Sequence, residues 1–227
     1  MSTAVFLQVR INSSRLPGKA LLPLAGKPVI VHAMEALRRV PAEHYVLLTD
    51  TDSAPQLEEA AGSGGFSLFV GPREDVLRRY ALAVRRYRPE TVIRATGDNP
   101  LVSGKAAELL LEQHLLRGGD YSSFAGLPVG TGVQCARAAA LLEAHRHARE
   151  RYDREHVCPY LYRHPQRFTV IHPPLPQKYS FPDGRVTLDT RADYQFLQRL
   201  YADLYTGEPI ALDDLVTYLR RREQAAG

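Results

Sequence analysis

The chain has 227 residues, of which 44% are hydrophobic and 24% charged, and a formal net charge of +4. That profile fits one folded domain over residues 1–227 and excludes a disordered or fibrous chain, and the basic excess is too small for a polynucleotide footprint. Cys135 and Cys158, far apart and without Cys-x-x-Cys spacing, exclude a disulfide framework and a zinc knuckle, and no apolar run is long enough to span a bilayer.

Strand-like and helix-like patterns alternate from the start. Val5 to Val9 is a short apolar strand, and Val29, Ile30, Ala33, Met34, Leu37 and Val40 recur at helical spacing behind Pro28. Tyr45 to Leu48 is a second strand, followed by a short helix ending near Ala61 and a third strand from Phe66 to Val70. Val76, Leu77, Tyr80, Ala81 and Val84 share one helix face, and Thr91 to Ala95 is a fourth strand. This order predicts a mostly parallel sheet with helices on both faces.

Beyond residue 118 the regularity weakens. Asp120 to Phe124 and Gly132 to Cys135 read as strands around a turn-rich segment, and Ala136 to Arg163 as one charged helix. Arg167 to Ile171 and Arg185 to Leu188 read as further strands on either side of a Pro-rich loop. Two amphipathic helices close the chain, carrying Leu197, Leu200, Tyr201 and Leu204, then Leu212, Leu215, Val216 and Leu219. Residues 1–118 and 119–227 are expected to form two halves of one domain.

The run Asn12-Ser13-Ser14-Arg15-Leu16-Pro17-Gly18-Lys19 follows the first strand. From Arg10 to Lys27 the connection is far longer than the usual strand-to-helix loop of about two to six residues. It offers backbone N–H groups, hydroxyls and two cations where open α/β sheets bind ligands, which makes it a phosphate cradle, although its spacing is not that of a Walker loop. Asp98, in Gly97-Asp98-Asn99-Pro100, stands just after the fourth strand. It is either an Asx-turn residue or a hard-oxygen ligand facing that cradle.

Five segments in order resemble the cytidylyltransferase family, which includes the CMP-sugar-acid synthetases and the spore-coat polysaccharide biosynthesis protein F group. They are Gln8-x-Arg10-x-x-Ser13-Ser14-Arg15-Leu16-Pro17-Gly18-Lys19-x-Leu21, Glu74-Asp75-Val76-Leu77-x-Arg79-Tyr80, Arg94-x-x-Gly97-Asp98-x-Pro100-Leu101, Arg154-Glu155-His156-Val157-x-Pro159-Tyr160 and Arg185-x-Thr187-x-Asp189-Thr190-x-x-Asp193. The resemblance implies a GT-A-like, Rossmann-like α/β fold with a small acceptor-side subdomain. It implies an Mg2+-dependent transfer of CMP from CTP to a sugar or polyol phosphate or a sugar acid, with release of pyrophosphate, in polysaccharide or surface-glycan precursor synthesis. It further suggests a cytoplasmic enzyme and a homodimer, with no nucleic acid or membrane partner.

On that resemblance residues 1–118 form the nucleotide-binding half and 119–227 the acceptor-binding half, Arg15 and Lys19 contact the triphosphate, and Asp98 and Asp189 hold Mg2+. Asp193 competes with Asp189 but fits the first turn of the following helix better. Ser13 and Ser14 are expected to act through backbone N–H groups. Gln8, Arg10, Gly71 and Asp75 are expected along the base, although Asp75 also suits a helix first turn. Gly132 and Gln134, standing where the spore-coat group carries acids, together with Arg185, are expected on the acceptor. Glu155 and His156 either line the acceptor pocket or order their helix. The histidines from His145 to His156 lack His-Glu-x-x-His spacing and are not read as a zinc site. Two rival readings remain: a GT-A glycosyltransferase, whose Asp-x-Asp could only be Asp50-Thr51-Asp52, and a non-catalytic nucleotide-binding homologue.

Overall fold

In the computed structural model, which describes residues 2–13 and 15–226, strand β1 (Thr3–Gln8) is sealed on both faces. Ala4 and Phe6 point into one apolar cluster and Val5 and Leu7 into another, all fully buried, so the strand is apolar without alternation. A two-residue ribbon, β2 (Pro23–Leu24) with β3 (Lys27–Pro28), leads into helix α1 (Val29–Leu37). Strand β4 (His44–Thr49), helix α2 (Ala54–Ser63), strand β5 (Ser67–Val70), helix α3 (Val76–Tyr87) and strand β6 (Thr91–Thr96) then alternate as expected.

Helix α4 (Gly104–Arg117) carries no single apolar stripe. It touches two cores at once: Ala106 packs beside Val29 and Leu101, while Ala107, Leu110 and Leu111 face the sheet, so its apolar residues spread around the axis. Strands β7 (Tyr121–Ser123) and β8 (Gln134–Arg137) and helix α5 (Ala138–His147) follow. The expected single charged helix is instead three, with α6 (Arg151–His156) and α7 (Pro159–Tyr162) after α5. Pro159 has no N–H to continue α6, and Val157 turns the chain at φ 73°. Strand β9 (Val170–Ile171) and helices α8 (Arg191–Leu204) and α9 (Leu212–Ala226) complete the chain.

Seven strands form one sheet in the order β5-β4-β1-β6-β8-β7-β9. The β5-β4-β1-β6 block is parallel, β8 runs antiparallel to both β6 and β7, and β9 is parallel to β7. The strands after residue 118 therefore extend the first sheet rather than build a second. Successive crossovers leave β1 toward β4 on one side and return to β6 on the other, which opens a crevice at their C-terminal ends.

The expected last strand, Arg185 to Leu188, is not in the sheet. Its sole bridge is Val129 to Arg185, and its alternation instead drives Val186 and Leu188, both fully buried, into a third core with Leu24, Val29, Leu197 and Leu200. That core clamps the backbone immediately before Asp189. Replacing Leu188 by Ala should destabilise the fold by about 3 kcal/mol, as cavity formation at a sealed site does. Urea unfolding of Leu188→Ala with an unchanged m-value and a midpoint near wild type would contradict this anchoring.

Candidate active site

The loop after β1 is held by its own backbone. Gly18, at φ 70°, donates to the Ile11 carbonyl, and Ile11 N–H donates to Ser53 Oγ at 3.0 Å. The tight turn at Gly18 starts a single 3-10 turn, Lys19–Leu21, which sends the Lys19 side chain inward. Lys19 is only 7% exposed, and three acceptors surround its ammonium. Asp98 Oδ2 lies at 2.6 Å, Leu188 O at 2.7 Å and Asp189 Oδ1 at 3.1 Å.

Asp98 reaches this point because β1 and β6 stay paired to their ends. Gly97 N–H still donates to Gln8 O, and a Cβ on Gly97 would come within 2.9 Å of Ile30 Cδ1. Asp189 is delivered from the opposite side by the anchored 185–188 segment. It also bonds Arg15 at 2.9 Å and Arg185 at 2.7 Å. Burial raises the Asp189 carboxyl, but the Lys19 bond and charge, with Arg15 and Arg185, outweigh it and hold the group below the usual carboxylate range. Asp193 stands where its capping role places it: its carboxylate accepts the N–H groups of Asp189 and Thr190, while Thr190 Oγ1 accepts from Asp193 N–H.

A cleft of about 370 Å3 opens here, and its walls include six cationic side chains, Arg10, Arg15, Lys19, Arg73, Arg79 and Arg94, against three carboxylates, Asp98, Glu155 and Asp189. Gln8, Ser13 and His156 complete much of its rim. Such a surplus suits a polyanion. A larger hollow, about 480 Å3, lies at the other end of the sheet around Glu90, His114 and Arg137, where no carboxylate pair meets a bound cation. The chemistry favours the first cleft.

Asp98 and Asp189, converging on one ammonium, also form the hard-oxygen pair that a divalent cation takes beside phosphate. The donor set thus fits the expected metal, with Lys19 in the same carboxylate cage.

Several of the other expected site residues are engaged within the protein. The N–H of Ser13 is already donated to Ile11 O, so it is not a phosphate donor in this arrangement; Ser14 lies outside the described residues. Asp75 caps α3 by accepting Arg78 N–H and pairs with Arg154 at 2.9 Å, across a separate groove. Gly71 is pressed by a side chain of the protein: a Cβ there would meet Arg79 Cγ at 2.7 Å. Gln134 is turned to Arg94 and Tyr121, at 2.7 and 2.8 Å, while Gly132 stays exposed on the turn before it. Arg185 sits on Asp189 rather than free.

Three arginines within the recognised segments had no role assigned from sequence, Arg79, Arg94 and Arg154. Arg79 is 3% exposed and donates to Pro72 O twice and to Arg73 O, fixing the loop that ends β5. An arginine one position from Tyr80 on an apolar helix face was the available signal. Helix α6 splits its charges, with Arg154 toward α3 and Glu155 and His156 toward the cleft. The Asp50-Thr51-Asp52 pair is no metal motif here, since Asp50 is buried against Ser53 N–H and Asp52 pairs with Arg73.

Comparison with known proteins gives the family and the fold. A model of the family described as "Cytidylyltransferase" matches residues 4–224. This chain belongs to the cytidylyltransferase family. It is 31% identical to the spore coat polysaccharide biosynthesis protein SpsF of Bacillus subtilis over 97% of this chain and 95% of that protein. Over 48% of this chain and 45% of its relative it is 36% identical to a 3-deoxy-manno-octulosonate cytidylyltransferase of Anaeromyxobacter dehalogenans. The solved structure of a cytidylyltransferase from Leptospira borgpetersenii aligns with a TM-score of 0.90 at 25% identity, covering 99% of this chain and 96% of that one. Membership makes the chain a nucleotidyltransferase and agrees with the α/β sheet described above.

Because Asp189 titrates below an ordinary aspartate in the fold, its charged form stabilises the protein. That contribution is complete above the unfolded value of about pH 4 and is lost as pH falls through the lower folded value. The stability difference between wild type and Asp189→Asn, measured by urea unfolding, should stay constant from neutral pH to about pH 5 and shrink in stronger acid. A difference that is the same at every pH would remove Asp189 from the cationic cluster.

Proposed function

We propose that the cleft transfers CMP from CTP to an anionic acceptor, a sugar or polyol phosphate or a sugar acid, releasing pyrophosphate in surface-glycan precursor synthesis. The observation that carries this reading is the Lys19 cluster, in which loop cations meet Asp98 and Asp189 at the strand ends. In this reading Arg15 and Lys19 receive the triphosphate and stabilise the pyrophosphate as it leaves. Gln8 and Arg10 border the nucleoside, while Gly132, Gln134 and Arg185 belong to the acceptor side of the 119–227 half. The acceptor oxygen attacks the α-phosphorus in line as the bond to the β-phosphate oxygen breaks, so positioning and charge neutralisation supply the catalysis without a protein nucleophile.

Asp98 and Asp189 are the residues that would hold Mg2+. Such a cation neutralises phosphate charge and polarises the reacting phosphoryl group. The relatives named for a spore-coat polysaccharide and for a sugar-acid cytidylyltransferase support the acceptor class. The absence of a membrane-crossing helix among the described residues is consistent with a cytoplasmic enzyme, and a homodimer is the expected assembly.

CTP with Mg2+ should raise the melting temperature more than UTP or ATP at equal concentration, by linkage. Equal shifts for the three nucleotides would show that cytosine is not read. Asp98→Asn should lower pyrophosphate release on the order of 100-fold in a protein that still folds, with a lower melting temperature because the buried Lys19 ammonium loses one of its two counter-charges. Turnover close to wild type would leave Asp98 a turn residue. Lys19→Ala should raise the KM for CTP and lower kcat together, because its partner charge grows in the leaving group. Unchanged values of both would take Lys19 out of the reaction.

A further inference from the structure

Arg94 is half-buried in the central strand β6 and lines the same cleft as Asp98 and Lys19. Its Nε donates to Gln8 Oε1 at 3.1 Å and its Nη1 to Gln134 Oε1 at 2.7 Å. Both partners are neutral amides. Among the described residues Arg94 makes no ion pair, in contrast to Arg15, Lys19 and Arg185, which all share Asp189.

The groups behind Arg94 are neutral as well. Gln134 spends its amide N–H on the Tyr121 hydroxyl at 2.8 Å, and burial pushes that phenol up to about 12. The Tyr80 phenol, which donates to Phe6 O, is also raised by burial, and the buried Cys158 thiol is pushed up to about 11. Arg94 is therefore held by two carbonyl-type oxygens, neither of which brings a counter-charge. Withdrawing a guanidinium from water without a counter-charge is unfavourable, and a planar fork with unused N–H groups matches a carboxylate or phosphate.

We propose that Arg94 receives the anionic group of the acceptor, and that Gln134 is the positioning residue that orients Arg94 without neutralising it. This inference rests on the cytidylyl-transfer reading for the identity of the ligand as acceptor. The sheet order supports the acceptor over the triphosphate. The triphosphate cations Arg15 and Lys19 come from the loop after β1, whereas Arg94 stands on β6, braced from β1 by Gln8 and, at the shorter distance, from β8 by Gln134, on the strand that follows Gly132. Gln134, placed on the acceptor from sequence, thus acts one residue removed from it.

The test uses the full chain and matched probes: 3-deoxy-manno-octulosonate against its methyl ester, and glycerol 3-phosphate against glycerol. Binding is followed by calorimetry in the presence of a non-hydrolysable CTP analogue and Mg2+, with CTP binding measured separately. Native protein should prefer at least one charged probe over its neutral partner by tenfold or more. Gln134→Glu keeps the shape and the acceptor toward Arg94 but supplies a counter-charge. It should erase that preference while CTP affinity changes less than twofold. Arg94→Lys, which keeps charge and loses the fork, should retain only part of the preference.

No charged-probe preference in native protein, or a preference that survives Gln134→Glu, overturns the role of Arg94. A loss of CTP affinity in Gln134→Glu equal to the loss for the charged probe assigns Arg94 to the nucleotide phosphates and overturns it equally. Failure of the cytidylyl-transfer reading shows differently: pyrophosphate release is absent with CTP and every probe, whatever the binding preferences.

Discussion

The Lys19 ammonium, shared among Asp98, Asp189 and the Leu188 carbonyl, joins three parts of the chain that are remote in sequence. A buried cation of this kind is tolerable only when its acceptors are close and fixed. Each acceptor has its own support. Asp98 follows the paired ends of β1 and β6, and Asp189 is the first residue beyond a segment whose Val186 and Leu188 are sealed in a separate core. The hydrophobic packing of α8 and α9 therefore fixes the position of the second carboxylate of the pair.

The cleft's charge pattern divides into paired and unpaired cations. Arg15, Lys19 and Arg185 converge on Asp189, and Lys19 also meets Asp98, so three cations share two carboxylates. Arg79 is occupied by backbone carbonyls and serves the loop after β5. Arg94 is braced by amides alone. The same residue type thus performs three tasks within one cleft, and the acceptor of each hydrogen bond decides which.

The third core explains both the success and the failure of reading 185–188 as a strand. Its alternation reports faithfully that Val186 and Leu188 are buried while Thr187 and Asp189 are more open, since period two follows from extended backbone. Extended backbone needs no sheet, however, and only Arg185 is bridged, to Val129. The long charged helix failed for a related reason. Charges at i,i+4 on 136–163 suit a solvated helix, yet Asp153 is 2% exposed and pairs with Arg163, which requires the chain to bend between them.

The sequence by itself determined the alternation of strands and helices through β6, the loop of cations after β1, and two aspartates at chain positions that follow buried extended segments. These are local properties, set by apolar period, turn residues and the length of the first connection. Only the tertiary structure decided partners. It gave Asp75 to Arg154, anchored Asp189 beside Lys19, and set Gln134 against Arg94. A polar side chain's role depends on which donor or acceptor reaches it across the fold, and contacts between residues 40 to 170 positions apart leave no period in the chain that could announce them.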